Sequence, residues 1–271
     1  MQAAELYCRE AGSGPGVVCI HANAGTSGQW RALMDRLAPQ YHVLAPDSYG
    51  SGKSPPWSAP RMMRLQDEVD LLEPVFAKAG TPLALVGHSY GAAVALMTAL
   101  THPGRVRALA LYEPTLFAVI DAESPPPNAA DGIRDTARRA GAMLDAGKLE
   151  KAAGIFIDYW MHPGAWQQMP ASRRPAIAAS AANLPHWAHA LFSETTPLAA
   201  FRTLDIPVLY MTGRRSTPAA HGVARLLTGV LPRVEVVEFE NLGHMGPVTD
   251  PDTVNPVIAR FLESAYRQTP Q

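Results

Sequence analysis

The chain has 271 residues, 47% of them hydrophobic, and a formal net charge of -1. That apolar content over that length supports a full hydrophobic core and excludes a disordered or fibrous chain. With charge this balanced and no long run of one sign, electrostatics gives no reason to expect nucleic acid or an anionic membrane surface as a partner. The N-terminal residues do not combine basic charge, a long apolar run and a cleavage site. No apolar stretch reaches the length of a bilayer span, so a cytoplasmic protein is expected. Two cysteines, Cys8 and Cys19, are too few for a disulfide framework and read as reduced and buried.

In chain order, Glu5 to Glu10 reads as an edge strand. The turn Gly12-Ser13-Gly14-Pro15-Gly16 leads into Val17 to Ile20, an apolar run suited to a parallel strand covered on both faces. A loop of small and polar residues, His21 to Gly28, follows. Such a loop at a strand's carboxyl end can turn backbone N–H groups toward a ligand. The stretch Gln29 to Leu37 is amphipathic, with Trp30, Leu33 and Leu37 on one face. His42 to Ala45 is the next strand and ends at Pro46-Asp47; Asp47 reads as a turn-holding carboxylate. The glycines and Lys53 that follow lack the spacing of a phosphate loop. Arg61 to Ala79 is predicted as a helix bent or restarted at Pro74.

The most informative stretch is Gly87-His88-Ser89-Tyr90-Gly91, between the buried strand Leu83 to Val86 and the small-residue helix Ala92 to Thr101. A serine wedged between strand and helix, with glycines that let the two cross closely, is the pattern of a strained turn that projects a nucleophile. The start of the helix then aims unpaired N–H groups at negative charge forming beside Ser89. Val106 to Tyr112 is another strand, ending at Glu113-Pro114. From Thr115 to about Ala200 the alternation of strand and helix stops; Ile133 to Ala153, Gly154 to Met161 and Arg174 to Phe192 read as helices. His186 and His189 have no third metal ligand nearby and read as packing or surface residues. The alternation resumes with the strand Pro207 to Met211, the helix Ala219 to Leu231 and the strand Val234 to Phe239. A glycine-flanked loop then carries His244, and Asp250 or Asp252 caps the closing helix, Asp252 to Tyr266.

The expected fold class is α/β, a doubly wound and mostly parallel sheet, with a core from residues 1–114 and 201–271 and a helical cap from 115–200. Gly87 to Gly91, His21-Ala22-Asn23, the insertion between sheet halves and Gly243-His244 after the last strand together resemble the α/β-hydrolase fold superfamily, over roughly Gly16 to Phe261. The resemblance implies Ser89 as nucleophile and His244 as base. It implies an oxyanion hole from the N–H groups of Tyr90 and of Asn23 or Ala24. Ala22 stands where the family usually has glycine, which leaves the choice of loop donor open. The family commonly has an acid at the position of Ser216, so another carboxylate has to balance the imidazolium. Glu113 is the choice, by similarity to haloalkane dehalogenases, which carry an acid at the end of the strand after the nucleophile. Asp47 and Glu240 are the alternatives. On that reading Glu113→Gln is damaging and Ser216→Ala nearly silent. Dehalogenases use an aspartate nucleophile, so Ser89 disfavours halide displacement.

The function expected is hydrolysis of an ester, thioester or lactone of a small to medium, partly apolar substrate through an acyl-enzyme. Trp160, Trp187, Phe192 and Met245 are the expected substrate contacts. No cofactor or metal is expected, and the partner is a small-molecule substrate, with a homodimer left open. Hydrolytic cleavage of a carbon–carbon bond beside a ketone, or cofactor-free perhydrolysis, uses the same side chains. A ligand receptor without turnover is the rival of another class. Arg214 and Arg215 read as solvated surface charges.

Overall fold

The computed structural model describes residues 6–267. Seven strands form one sheet: β1 (Cys8–Ala11), β2 (Gly16–Ile20), β3 (His42–Pro46), β4 (Leu83–His88), β5 (Val106–Tyr112), β6 (Val208–Gly213) and β7 (Val234–Phe239). The start of the expected first strand, Glu5, lies outside the described residues. Spatial order is β1-β3-β2-β4-β5-β6-β7. Only β1 runs antiparallel to its neighbour. The doubly wound, mostly parallel sheet expected from the alternation is therefore present. The chain winds outward from β2 in one direction and then returns to lay β4 on its other side. That reversal opens a crevice at the carboxyl ends of β2 and β4, where sheets of this kind bind ligands.

Thirteen α-helices accompany the sheet among the described residues. On the first half of the chain these are α1 (Arg31–Leu37), α2 (Leu65–Leu71), α3 (Glu73–Ala79) and α4 (Tyr90–Thr101). The predicted helix over Arg61 to Ala79 is two helices that meet at Leu72, two residues before Pro74. It also starts later than predicted. The Asp67 carboxylate accepts from the Arg64 N–H at 2.7 Å and from the Arg61 guanidinium, which keeps Arg64 extended ahead of the first turn.

Between β5 and β6 come α5 (Phe117–Glu123), α6 (Asp131–Asp145), α7 (Leu149–Trp160), α8 (Ala165–Gln168), α9 (Arg174–Ser180) and α10 (Leu184–Phe192). The expected boundary at Gly154 is corrected: the break falls at Gly147, where φ is +68°, a conformation that costs glycine little. Gly154 instead lies inside α7, where a Cβ would come within 3.0 Å of the Trp166 ring. The expected helix over Arg174 to Phe192 is interrupted by a 3-10 turn at Ala181–Asn183 and restarts with Pro185 in its first turn. The chain closes with α11 (Pro218–Thr228), α12 (Gly246–Thr249) and α13 (Pro251–Arg267). Of the two expected caps, Asp250 accepts from the Thr253 N–H at 3.2 Å, at the start of α13.

Alternate residues of each strand feed two hydrophobic clusters, as the two-residue period of a strand requires. Val17, Val43, Val86 and Ala110 face α1 and α13 on one side. Val18, Leu44, Leu85 and Leu111 belong to the other cluster, which also takes in Trp160 and Trp187 of the inserted helices. The insertion thus shares its core with one face of the sheet.

Candidate active site

Ser89 links β4 to α4 with φ +57° and ψ -118°, a strained pair for a residue with a Cβ. Two glycines make that turn possible. A Cβ on Gly87 would lie 2.5 Å from the Ala92 backbone, and one on Gly91 would lie 2.3 Å from the Ile20 carbonyl. Strand, turn and helix can pack this closely only where both side chains are absent. The non-glycine residues with positive φ among the described residues are Ala24, Ser89 and Glu113, all at the carboxyl edge of the sheet.

Ser89, His244 and Glu113 come together in one hydrogen-bonded row. The Ser89 hydroxyl lies 2.8 Å from His244 Nε2, and His244 Nδ1 lies 2.7 Å from Glu113 Oε2. All three are buried. A carboxylate can only accept, so Nδ1 carries the proton and the Nε2 lone pair faces the serine, whose O–H donates. Glu113 takes three further donors: the Thr212 hydroxyl (3.0 Å) and Gly213 N–H (2.7 Å) on Oε1, and the Ser216 hydroxyl (2.6 Å) on Oε2. Burial pushes the carboxyl up; its bonds with His244, Ser216 and Gly213 outweigh this and hold it below the usual glutamate range. The Ser216 contact revises the expectation that this hydroxyl is a bystander.

The other acids considered are occupied elsewhere. Asp47 accepts from the Ser27 N–H (2.6 Å) and the Lys53 N–H (2.9 Å), the turn-holding role read from the sequence. Glu240 is exposed and paired with Arg214, and Arg215 reaches Asn241 on the surface.

A second network, not foreseen from the sequence, lies behind the first. The Ala22 N–H donates to Gln29 Oε1 (3.2 Å), and Gln29 Nε2 donates to His88 Nδ1 (3.0 Å). His88 Nε2 then donates to the main-chain carbonyl of His244 (2.8 Å). The order of donors is forced, because a carbonyl at one end requires N–H on Nε2 and leaves Nδ1 to accept. Burial, with the nearby His244 ring, holds His88 well below the ordinary histidine range despite its bond to that carbonyl, so the ring is neutral. His21 is likewise buried; it donates to the Ala22 carbonyl (2.7 Å) and accepts from the Ser48 N–H (3.0 Å). The only sequence signal for any of this is that His88 sits inside the serine motif.

Ser89 opens onto a narrow cavity. Asn23, Ser89 and Thr115 are its polar lining residues; the rest are apolar, from α5, α6, α7 and α10. Trp160, Trp187 and Phe192 line it as expected side chains of the insertion, joined by Phe117, Ile133 and Phe156. Met245 is not among the lining residues of this cavity; its carbonyl accepts from the Val248 and Thr249 N–H groups. Of the expected oxyanion donors, Asn23 lines the cavity with Ser89 while Ala24 does not. Tyr90 opens α4, so its N–H has no helical acceptor one turn back. The Trp160 indole lies on the His244 ring, centroids 3.9 Å apart and planes 27° from parallel. Among the described residues no group of three or more His, Cys, Asp or Glu is arranged to hold a metal ion, and no helix is long and apolar enough to cross a membrane.

The sequence pattern described as the alpha/beta hydrolase fold matches residues 15–251, and the chain belongs to that family. It is a hydrolase, as the resemblance implied. Among its relatives is the lipase LipV of Mycobacterium tuberculosis, 34% identical over 152 residues, which cover 52% of this chain and 57% of that protein. The 2-(acetamidomethylene)succinate hydrolase of Mesorhizobium japonicum is 26% identical over 96% of this chain and 92% of its own. A crystal structure of an alpha/beta hydrolase from Sphaerobacter thermophilus superposes with a TM-score of 0.76 at 29% identity, covering 95% of this chain and 96% of that one.

Proposed function

We propose that the chain is a serine hydrolase that cleaves an uncharged ester, thioester or lactone whose acyl part is small to medium and largely apolar. The observation that carries this reading is the Ser89–His244–Glu113 row opening onto an apolar cavity. Ser89 Oγ attacks the carbonyl carbon as its proton passes to His244 Nε2, and Glu113 balances the imidazolium. The carbonyl oxygen takes the negative charge and is met by the N–H groups of Tyr90 and Asn23, each worth about 3 kcal/mol to the transition state. Collapse of the tetrahedral intermediate expels the leaving group, which takes the proton from His244. Water then attacks the acyl-enzyme with His244 as base, and the acid product leaves.

Among the described residues no Lys, Arg, His, Asp or Glu side chain lines the cavity. An ionised acyl group would be desolvated there without a counter-charge, at a cost of several kcal/mol. The relative from Mesorhizobium japonicum is named for a succinate. The apolar wall favours a different, neutral substrate here.

A fluorophosphonate probe should label the native protein and not Ser89→Ala. A set of p-nitrophenyl esters should show neutral acyl groups turned over faster than their ω-carboxylate counterparts. An unlabelled native protein supports the receptor reading instead. Label without ester turnover, but with cleavage of a diketone or peroxide-dependent oxidation in acetate, shifts the reading to carbon–carbon hydrolysis or perhydrolysis.

A further inference from the structure

We infer that Trp160 acts directly on the base: its indole face stabilises the imidazolium that His244 becomes when it takes the Ser89 proton. The inference rests on the serine-hydrolase reading above. Its observation is the stack itself, with centroids 3.9 Å apart and planes 27° from parallel. A residue that only walls a cavity has no reason to lie face-on to the imidazole. A cation within about 6 Å of a ring centroid is attracted by the negative face of the π system, most strongly for tryptophan and more so when water is excluded. Both rings here are buried.

The indole is also held in place. Phe117 stacks on it at 6.3 Å and 17°, Tyr159 meets it edge-on at 4.9 Å, and Phe156 does so at 6.3 Å. Trp160 ends α7, so an inserted helix delivers a group to the base that the sheet cannot supply. The imidazole also lies near His88, centroids 5.3 Å apart and planes tilted by 47°; that ring is neutral and adds no charge.

The titratable groups around the ring are few. Glu113 and Tyr112 come from β5 and its end, the Tyr112 hydroxyl donating to the Gly243 carbonyl (2.8 Å). His88 comes from β4, and Tyr159 of α7 meets the indole and not the imidazole, while Arg214, Arg215 and Glu240 are exposed. During attack the proton moves from Ser89 Oγ to Nε2 as the Oγ–carbon bond forms and the carbonyl electron pair moves to oxygen. The one new positive charge appears on the ring under the indole. The same attraction acts on an imidazolium in the free enzyme, so removing the indole weakens it there as well.

The test is the pH profile of kcat/KM on a neutral p-nitrophenyl ester for the native protein, Trp160→Phe and Trp160→Leu. The acid limb should move to lower pH in the order Trp, Phe, Leu, and the plateau of Trp160→Leu should fall about tenfold or more, with Phe between. The fluorescence difference between the native protein and Trp160→Phe should titrate with the midpoint of the native acid limb, because a protonated imidazole in contact quenches an indole. An acid limb that stays in place across the series, or a fluorescence difference flat through that midpoint, overturns the inference. If Trp160→Leu does not fold, the native and Phe proteins still supply both readouts. Fluorophosphonate labelling separates the two levels: a labelled protein with an unmoved limb ends this inference alone, and an unlabelled one ends the reading beneath it.

Discussion

Glu113 turns back on itself at φ +45° immediately after β5 and meets four donors. Its amide isostere keeps the shape and loses the charge, so Glu113→Gln should lower kcat by about 10³–10⁴ while the melting transition moves little. Ser216 supplies one of the four donors. A hydrogen bond to a charged group contributes roughly 1.5–3 kcal/mol. Ser216→Ala should therefore reduce kcat about tenfold, against the near-silence that the sequence predicts. Turnover of a neutral ester by the two variants checks both; equal activity of Ser216→Ala and the native protein would mean that Glu113 is held without that hydroxyl. From the sequence, Ser216 shows only as a hydroxyl that cannot replace an acid. It can instead serve one, and that depends on residues 113 and 216 meeting across 103 positions of chain.

At the scale of elements, the site is a junction of loops at the carboxyl edges of β2, β4, β5 and β7. The crossing of β4 and α4 under Ile20 fixes where Ser89 stands, through the glycines at 87 and 91. The chain from Ala22 through Gln29 and His88 to the His244 carbonyl ties the loop that carries Asn23 to the loop that carries His244. Gln29→Ala would leave a buried N–H and a buried ring nitrogen unpaired, at about 1–3 kcal/mol each. Because the loops it ties hold Asn23 and His244, the loss should fall on kcat more than on KM, by about tenfold. Steady-state kinetics decides this: a change in KM alone would assign Gln29 to substrate binding. None of this was legible in the sequence, where Gln29 reads only as the polar start of an amphipathic stretch.

Over the whole molecule, one hydrophobic cluster runs from the sheet into the inserted helices, so the cavity wall and the core are the same body. Within that body Glu68 on α2 is fully buried, with one oxygen 3.4 Å from the Tyr49 N–H and the buried Tyr90 hydroxyl nearby. Burial pushes its carboxyl up from 4.5 to about 8. An acid raised on folding is stabilising when neutral: its contribution is complete below pH 4.5 and is lost as pH rises through 8. At about 1.4 kcal/mol per pH unit, several kcal/mol are at stake across that window. Glu68→Gln cannot ionise, so its melting temperature should hold between pH 5 and 9 where the native value falls. Parallel curves for the two proteins would show that Glu68 ionises without cost to the fold.

The sequence by itself determined the order of strands and helices, the serine turn and the family, because these follow from the periods of buried residues and from glycines that local geometry demands. It also pointed to His244 and Glu113 as partners, through their places just past strand ends. Helix breaks inside the insertion were misplaced, since Gly147 and Gly154 look alike until packing shows which one turns the chain and which one admits Trp166. Only the tertiary structure decided that Ser216 donates to Glu113, that His88 and Gln29 bind two loops together, and that Trp160 covers the His244 ring. Each depends on side chains from separate segments meeting at hydrogen-bond or ring-contact distance. No local periodicity records such a meeting, because its energy arises between elements and not within them.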